Sequence, residues 1–139
     1  AVVIPENFRD LFRDDKPVFV TLVTVMPSGQ PQATPVWIDY DGEYVLVNTA
    51  RGRQKDKNMQ RNAKVTVLAV DPTNPYRWIE VRGKIADISE EGALEHINKL
   101  AGKYRNGNSD YYAPYPERRG TEQRVIYKIE PTKINTSGR

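Results

Sequence analysis

Val18-Phe19-Val20-Thr21-Leu22-Val23-Thr24-Val25-Met26, followed at once by Pro27-Ser28-Gly29, is the stretch whose reading decides the fold. Its β-branched side chains are stiff at χ1 and suit a pleated strand. Proline then presets one turn angle and glycine accepts the positive one, so the strand should fold back on itself. A second extended run over about 32–40 ends at Asp41-Gly42, the strongest short hairpin signal in the chain. Residues 44–49 read as a third strand. Three strands joined by tight turns predict an antiparallel meander.

Upstream, Phe8, Leu11 and Phe12 follow Pro5 at the i, i+3, i+4 spacing of a short amphipathic helix. Downstream, the polar segment 53–62 reads as a second short helix. Residues 65–70 form an apolar run expected of a strand buried on both faces, and 71–75 a loop. Residues 76–88 predict a long strand, with a bulge or sharp bend at Gly83 where the apolar alternation changes phase. Ser89, Glu90 and Glu91 suit the N-terminus of a helix whose buried stripe is Leu94, Ile97, Leu100, Ala101 and Tyr104. A Tyr- and Pro-rich loop covers 106–120, and Val125, Tyr127 and Ile129 alternate on a last strand.

Six strands with helices at the edges predict a mainly β, closed or half-closed barrel. Strands and helices do not alternate, which excludes a doubly wound sheet. With no internal repeat or linker, residues 1–139 read as one domain, a length at which a single core is stable.

Composition narrows the chemistry. A hydrophobic fraction of 38% and a charged fraction of 28% fit a globular chain and neither a disordered nor a membrane one. Ala1-Val2-Val3-Ile4 is too short an apolar run, without a basic flank, for a signal peptide, so a cytoplasmic location is expected. There is no cysteine and a single histidine, His96, which leaves no metal site expected and no thiol chemistry. Any redox step therefore needs a bound organic cofactor.

The net charge is +3, and its distribution matters more than its sum. Arg51, Arg53, Lys55, Lys57, Arg61 and Lys64 stand against Asp56 alone. This segment leaves a strand, turns at Gly52 and enters a helix, whose N-terminal amides favour an anion. Arg53 can offer a planar fork to phosphate oxygens, Lys55 a compact charge, and Asn58 a donor from the next turn. The plainer reading is a solvated helix face, although that helix has only Met59 to bury. His96 has no acid or cysteine at ligand spacing and reads as a structural or surface histidine, Trp78 as a core or interface residue, and Asp39 and Asp41 as residues that flank a turn and need no catalytic role.

Asn48-Thr49-Ala50 followed by Arg53-x-Lys55-x-x-Asn58-Met59 resembles the cofactor motif of the deazaflavin-dependent split-barrel oxidoreductases, members of the pyridoxamine 5′-phosphate oxidase-like superfamily that use coenzyme F420. The likeness spans nearly the whole chain. It includes Gly29-x-Pro31-Gln32-x-Thr34-Pro35-Val36-Trp37, Asp71-Pro72 with Asn74-Pro75-Tyr76-Arg77-Trp78, and Glu80-Val81-Arg82-Gly83. Glu90-Glu91-Gly92-Ala93 with Glu95-His96-Ile97, and Tyr115-Pro116, fit as well. Family members commonly have Leu where Met59 stands.

The resemblance implies a six-stranded, FMN-binding-like split barrel that forms a homodimer, with two cofactor sites in grooves at the subunit interface. It implies that Arg53, Lys55 and Asn58 hold the phosphate of the F420 tail, with Thr49 and Ala50 alongside. Gln32, Thr34, Pro35 and Val36 would line the deazaflavin ring, and Trp37, Tyr76 and Trp78 would form ring or substrate walls, partly from the second protomer. The reaction implied is hydride transfer to an unsaturated small-molecule acceptor. No residue is singled out as a catalytic acid; Tyr111, Tyr112, Tyr115 or solvent can supply the proton. The loop that carries these tyrosines reads either as a lid or as dimer packing.

Three other readings remain open at this level. The same fold can bind FMN as an oxidoreductase or flavin reductase. A nucleic-acid-binding barrel is disfavoured because no aromatic residue falls between Arg51 and Lys64. A non-catalytic cofactor carrier would need the same phosphate seat.

Overall fold

The computed structural model describes residues 2–13 and 15–138. A 3₁₀ helix, Glu6–Phe12, precedes β1 (Val20–Val25), β2 (Pro31–Val36), β3 (Asp39–Tyr40) and β4 (Val45–Ala50). Then follow α1 (Gln54–Arg61), β5 (Lys64–Asp71), β6 (Asn74–Ser89), α2 (Ala93–Tyr104), a 3₁₀ turn at Pro116–Arg118, and β7 (Arg124–Ser137). The strands form one antiparallel sheet in the order β2-β1-β5-β6-β7-β4-β3.

The expected meander is corrected here. β1 pairs with β2 and β3 with β4, but β2 and β3 stand at opposite edges. The second extended run breaks at Trp37-Ile38, and β3 is the short seventh strand that results. The span from Val36 to Asp39 reaches at most about 10 Å, so the two sheet edges must curl toward each other. This is the half-closed barrel, and the break at Trp37 is its split.

The interior is built by alternation. Val20 and Leu22, Val45 and Val47, Val67 and Ala69, Ile79 and Val81, and Val125, Tyr127 and Ile129 all face inward and are buried. Phe8, Leu11 and Phe12 join this core from the N-terminal 3₁₀ helix, the apolar face that their spacing suggests. β5 departs from expectation: only one face is buried, and Thr66, Leu68 and Val70 point outward. Glycine at position 83 is required. The β6–β7 register shifts between Arg82 and Gly83, and a Cβ there would lie 2.6 Å from the Glu130 carbonyl oxygen.

The second helix starts later than its sequence suggests. Ser89 ends β6, its hydroxyl donates to the Glu91 carbonyl at 3.2 Å, and Gly92 with φ 76° is the residue before the helix. The buried face is therefore Ala93, Ile97, Leu100 and Ala101, while Leu94 falls outside it at 54% exposure. Tyr104 is half-buried and ties the helix to the split, its hydroxyl donating to Val18 O (2.7 Å) and accepting from Ile38 N (3.0 Å). The loop expected at 71–75 shrinks to a turn at Pro72-Thr73, where the Asp71 carboxylate accepts the Thr73 amide at 2.8 Å. Among the described residues no helix is long and apolar enough to cross a membrane.

Candidate cofactor groove

α1 touches both β1 and β4, the strands next to the two sheet edges, and so bridges the split. Its buried residues are Asp56, Asn58 and Met59, which is why a helix with one apolar residue packs at all. The Asp56 carboxylate accepts Gly52 N (2.9 Å), Arg51 Nη1 (3.0 Å), Gln60 Nε2 (3.0 Å) and the Tyr127 hydroxyl. Burial would raise its pKa, but these donors outweigh burial and keep it below the usual value. One amide of the helix mouth, that of Gly52, is thus already bonded to a carboxylate of the chain.

Asn58 is fully buried and its carboxamide is committed inside the protein. Its Nδ2 donates to Thr24 Oγ1 (3.0 Å) and Gln32 Oε1 (3.2 Å), and its Oδ1 accepts from Gln54 (2.8 Å) and Arg61 (3.1 Å). Asn58 and Gln32 therefore work together as an internal clamp holding α1 on the β1–β2 hairpin.

Beside the clamp lies an excess of positive charge. Arg53 Nη2 approaches Glu122 at 3.4 Å, and Arg124 Nη1 reaches the same carboxylate at 3.2 Å. Lys55, half-buried next to them, has no acceptor within hydrogen-bond reach among the described residues. Burial first, then the neighbouring charges of Arg53 and Arg124, lower its pKa. Two arginines share one carboxylate and Lys55 beside them has none, a surplus that an anion entering from solvent would neutralise.

Arg124 is held from behind. Its Nε donates to Asn48 Oδ1 at 3.0 Å, while Asn48 Nδ2 donates to Ala93 O at 2.8 Å. The first partner can only donate and the second only accept, so the amide orientation is fixed. Asn48 Nδ2 must then also donate to His96 Nδ1 at 3.1 Å, which places the histidine proton on Nε2, facing Asp39 at 3.0 Å. Burial would raise the Asp39 pKa, yet His96 and Lys99 hold it well below the usual carboxylate range. His96 is structural, as its sequence context suggests, and Asp39 is its buried partner.

The groove that these groups border has a volume of about 240 Å³. Pro35, Val36 and Trp37 line it from the end of β2, together with Asn48, Lys55 and Arg124 and with Phe19, Arg105, Tyr111 and Tyr115. No Asp or Glu is among its lining residues. Trp37 stacks on Tyr104 with ring centroids 5.3 Å apart and planes 5° from parallel.

The sequence profile of the family described as "Pyridoxamine 5′-phosphate oxidase" matches residues 4–138. The chain belongs to that family. Among solved structures it is similar to an F420 reductase, with 30% identity, 95% of this chain and 98% of that one covered, and a TM-score of 0.77. A conserved hypothetical protein from Mycobacterium tuberculosis aligns at 24% identity over 98% of this chain and 86% of that one, TM-score 0.73. HupZ from Group A Streptococcus aligns at 22% identity over 96% and 93%, TM-score 0.66. The last two likenesses show the fold alone. No curated protein matches the chain.

This pyridoxamine 5′-phosphate oxidase family member, a split barrel of oxidoreductase type, distributes the sequence candidates unevenly. Pro35, Val36 and Lys55 meet in the groove, and Arg53 stands beside them through Glu122 and Arg124. Gln32 and Asn58 lie beneath α1, and Thr34 faces the same side of β2 as Gln32. Strand alternation sends Thr49 inward with Val45 and Val47, and its buried hydroxyl has no partner among the described residues. Ala50 is buried at the end of β4. Tyr76 and Trp78 are not brought to the groove by this chain: Tyr76 is 81% exposed, and Trp78 shares the outer sheet face with Thr21, Val23, Leu68 and Val70. Sequence reasoning missed Asn48 as a site residue, Arg105, Glu122 and Arg124. The basic run at 51–64 drew attention to Arg53 and Lys55, while Arg105, Glu122 and Arg124 are single charged residues far along the chain.

Proposed function

We propose that this protein is a cytoplasmic, homodimeric oxidoreductase that binds coenzyme F420 in the groove and uses it to reduce an unsaturated small-molecule acceptor. The observation that carries this reading is Lys55: a half-buried ammonium with no counter-ion among the described residues, beside Arg53 and Arg124, at one end of a groove bordered by Pro35 and Val36. A cofactor with a phosphate on its side chain fits that donor set. The 30% identity with an F420 reductase favours the deazaflavin, and FMN is the alternative, since both carry a phosphate.

When bound, the reduced deazaflavin supplies a hydride. The chain's own residues do the rest. Lys55 and Arg53 neutralise the phosphate, and Asn58 and Gln32 act from within by fixing the helix that carries them. Pro35 and Val36 present an apolar edge to a ring, and Trp37 with Tyr111 and Tyr115 shields the acceptor from water. Tyr111, Tyr115 or solvent delivers the proton that balances the hydride. Tyr76 and Trp78 enter this scheme only across a dimer. The outward Val23, Leu68, Val70 and Trp78 supply an apolar patch suited to a second copy.

The test is a side-by-side titration of purified protein with F420 and FMN, followed by turnover of reduced F420 against conjugated enones and quinones. Tighter F420 binding together with acceptor-dependent oxidation supports the proposal. Preferential FMN binding moves it to the flavin alternative, binding without turnover to a carrier, and failure to bind either cofactor removes it.

A further inference from the structure

We infer that the acceptor taken by this groove is a planar ring system bearing a carboxylate, and that Arg105 is the residue that selects it. The inference rests on the proposed reading of the groove as a hydride-transfer site and names its substrate class.

Arg105 follows the last residue of α2, where its amide donates to Ala101 O at 2.8 Å and so fixes the point from which the side chain departs. Its guanidinium lies 5.0 Å from the Trp37 ring centroid, 4.9 Å from that of Tyr111 and 5.6 Å from that of Tyr115. Of five N–H donors a guanidinium offers, one is engaged, with Nη1 donating to Tyr111 O at 2.8 Å. No carboxylate pairs with it among the described residues. The other two cations of the groove have separate tasks. Arg124 is committed to Glu122 and Asn48, and Lys55 belongs to the phosphate end. Arg105 is thus an uncommitted planar fork set in aromatic walls, the arrangement that takes a carboxylate through two parallel hydrogen bonds.

Shape points the same way. Trp37 is flat against Tyr104, Tyr111 meets it edge-on at 5.7 Å, and the Phe19 ring at the rim is 63% exposed. Such surfaces favour a flat ligand. A neutral analogue would leave the guanidinium desolvated and unpaired, so the site rejects it.

The plainer role for Arg105 is to stiffen the tyrosine loop by cation–π stacking alone, and the experiment separates the two. Binding of 2-naphthoate and of the isosteric 2-naphthamide to the otherwise unaltered protein is measured by calorimetric titration. The acid should bind at least tenfold more tightly than the amide. Arg105→Met should abolish that preference, Arg105→Lys should retain part of it, and Lys55→Met should leave it in place. Equal binding of acid and amide, no binding of either, or a preference that survives Arg105→Met or disappears with Lys55→Met overturns the inference. If Arg105→Met does not fold, the wild-type acid-to-amide ratio and the Lys variant decide. Cofactor titrations run separately distinguish the two failures. F420 or FMN binding without acid preference sinks only the inference, and acid preference without cofactor binding sinks the proposed function.

Discussion

Arg77 and Lys55 are both cations withdrawn from water, and the chain treats them in opposite ways. Arg77, buried where β6 begins, is neutralised twice over: Nη1 meets Asp71 at 2.9 Å and Nη2 meets Asp10 at 2.6 Å and the Asn7 carbonyl at 2.7 Å. The same guanidinium lies 4.9 Å from the Phe8 ring, tying the N-terminal 3₁₀ helix to the β5–β6 turn. Its hydrogen bonds to Asp10, ahead of burial, raise its pKa above the ordinary arginine value. Lys55 has no such partner, and its pKa moves down. Where charge is matched from within, the group serves the fold. Where it is left unmatched, it is available to something from outside.

The largest expected effect falls on the matched side. Arg77→Met leaves Asp71 without its cation and Asp10 with only Lys16 at 3.2 Å, and breaking a buried pair in this way costs about 3–5 kcal/mol; the remaining Lys16 contact and the partial exposure of Asp10 place the loss at the lower end. Thermal or urea unfolding measures it. Below the new melting point, affinity for F420 or FMN should stay within about twofold of wild type, because Arg77 is remote from the groove. A variant that kept its stability but lost the cofactor would break the contrast.

Next comes the unmatched side. Arg53→Gln with Lys55→Gln should weaken binding of a phosphate-bearing cofactor by about 10- to 100-fold, the range expected when charge-assisted hydrogen bonds are lost. The melting temperature should not fall, in contrast with Arg77→Met. Calorimetric titration and a thermal melt on the same preparation check both halves.

A smaller effect has the opposite sign from most mutations. Lys55→Met removes a charge repelled by Arg53 and Arg124, so the ligand-free protein should gain about 0.5 kcal/mol, an amount kept small by solvent screening. A loss of stability would mean that Lys55 has a structural partner. The pH dependence follows from the same shift. The folded-state pKa of Lys55 lies below its unfolded value, so the folded protein binds fewer protons in between. Stability of the ligand-free wild type should therefore rise as pH increases through that lowered pKa, and this increment should vanish in Lys55→Met. Anion affinity should run the other way and fall over the same interval.

Much of this contrast has no local signature. The hairpin turn at Gly29, the Asp41-Gly42 turn, the register shift at Gly83 and the buried alternation of Val125, Tyr127 and Ile129 were legible because each depends on neighbours within a few residues. The opposite placement of β2 and β3 was not, since strand order depends on which distant edges find each other. Leu94 misled because apolar spacing cannot fix where a helix starts, and Gly92 moved the buried face by one residue. At the site, Arg53 and Lys55 stood out as a basic run, but their surroundings did not. Arg124 meets Asn48 across 76 positions, and His96 meets Asp39 across 57. Whether a cation is neutralised is decided by such long-range partners, so composition showed the positive segment without showing which charge in it is unmatched.

The central claim is that the unmatched cations seat a phosphate. FMN and riboflavin differ only by that group, so a calorimetric titration of both into wild type and the Arg53→Gln, Lys55→Gln double variant tests it directly. The account predicts that wild type binds FMN at least tenfold more tightly than riboflavin at low salt, and that the double variant binds the two alike. Equal affinities in wild type, or a phosphate preference that persists in the double variant, would contradict it.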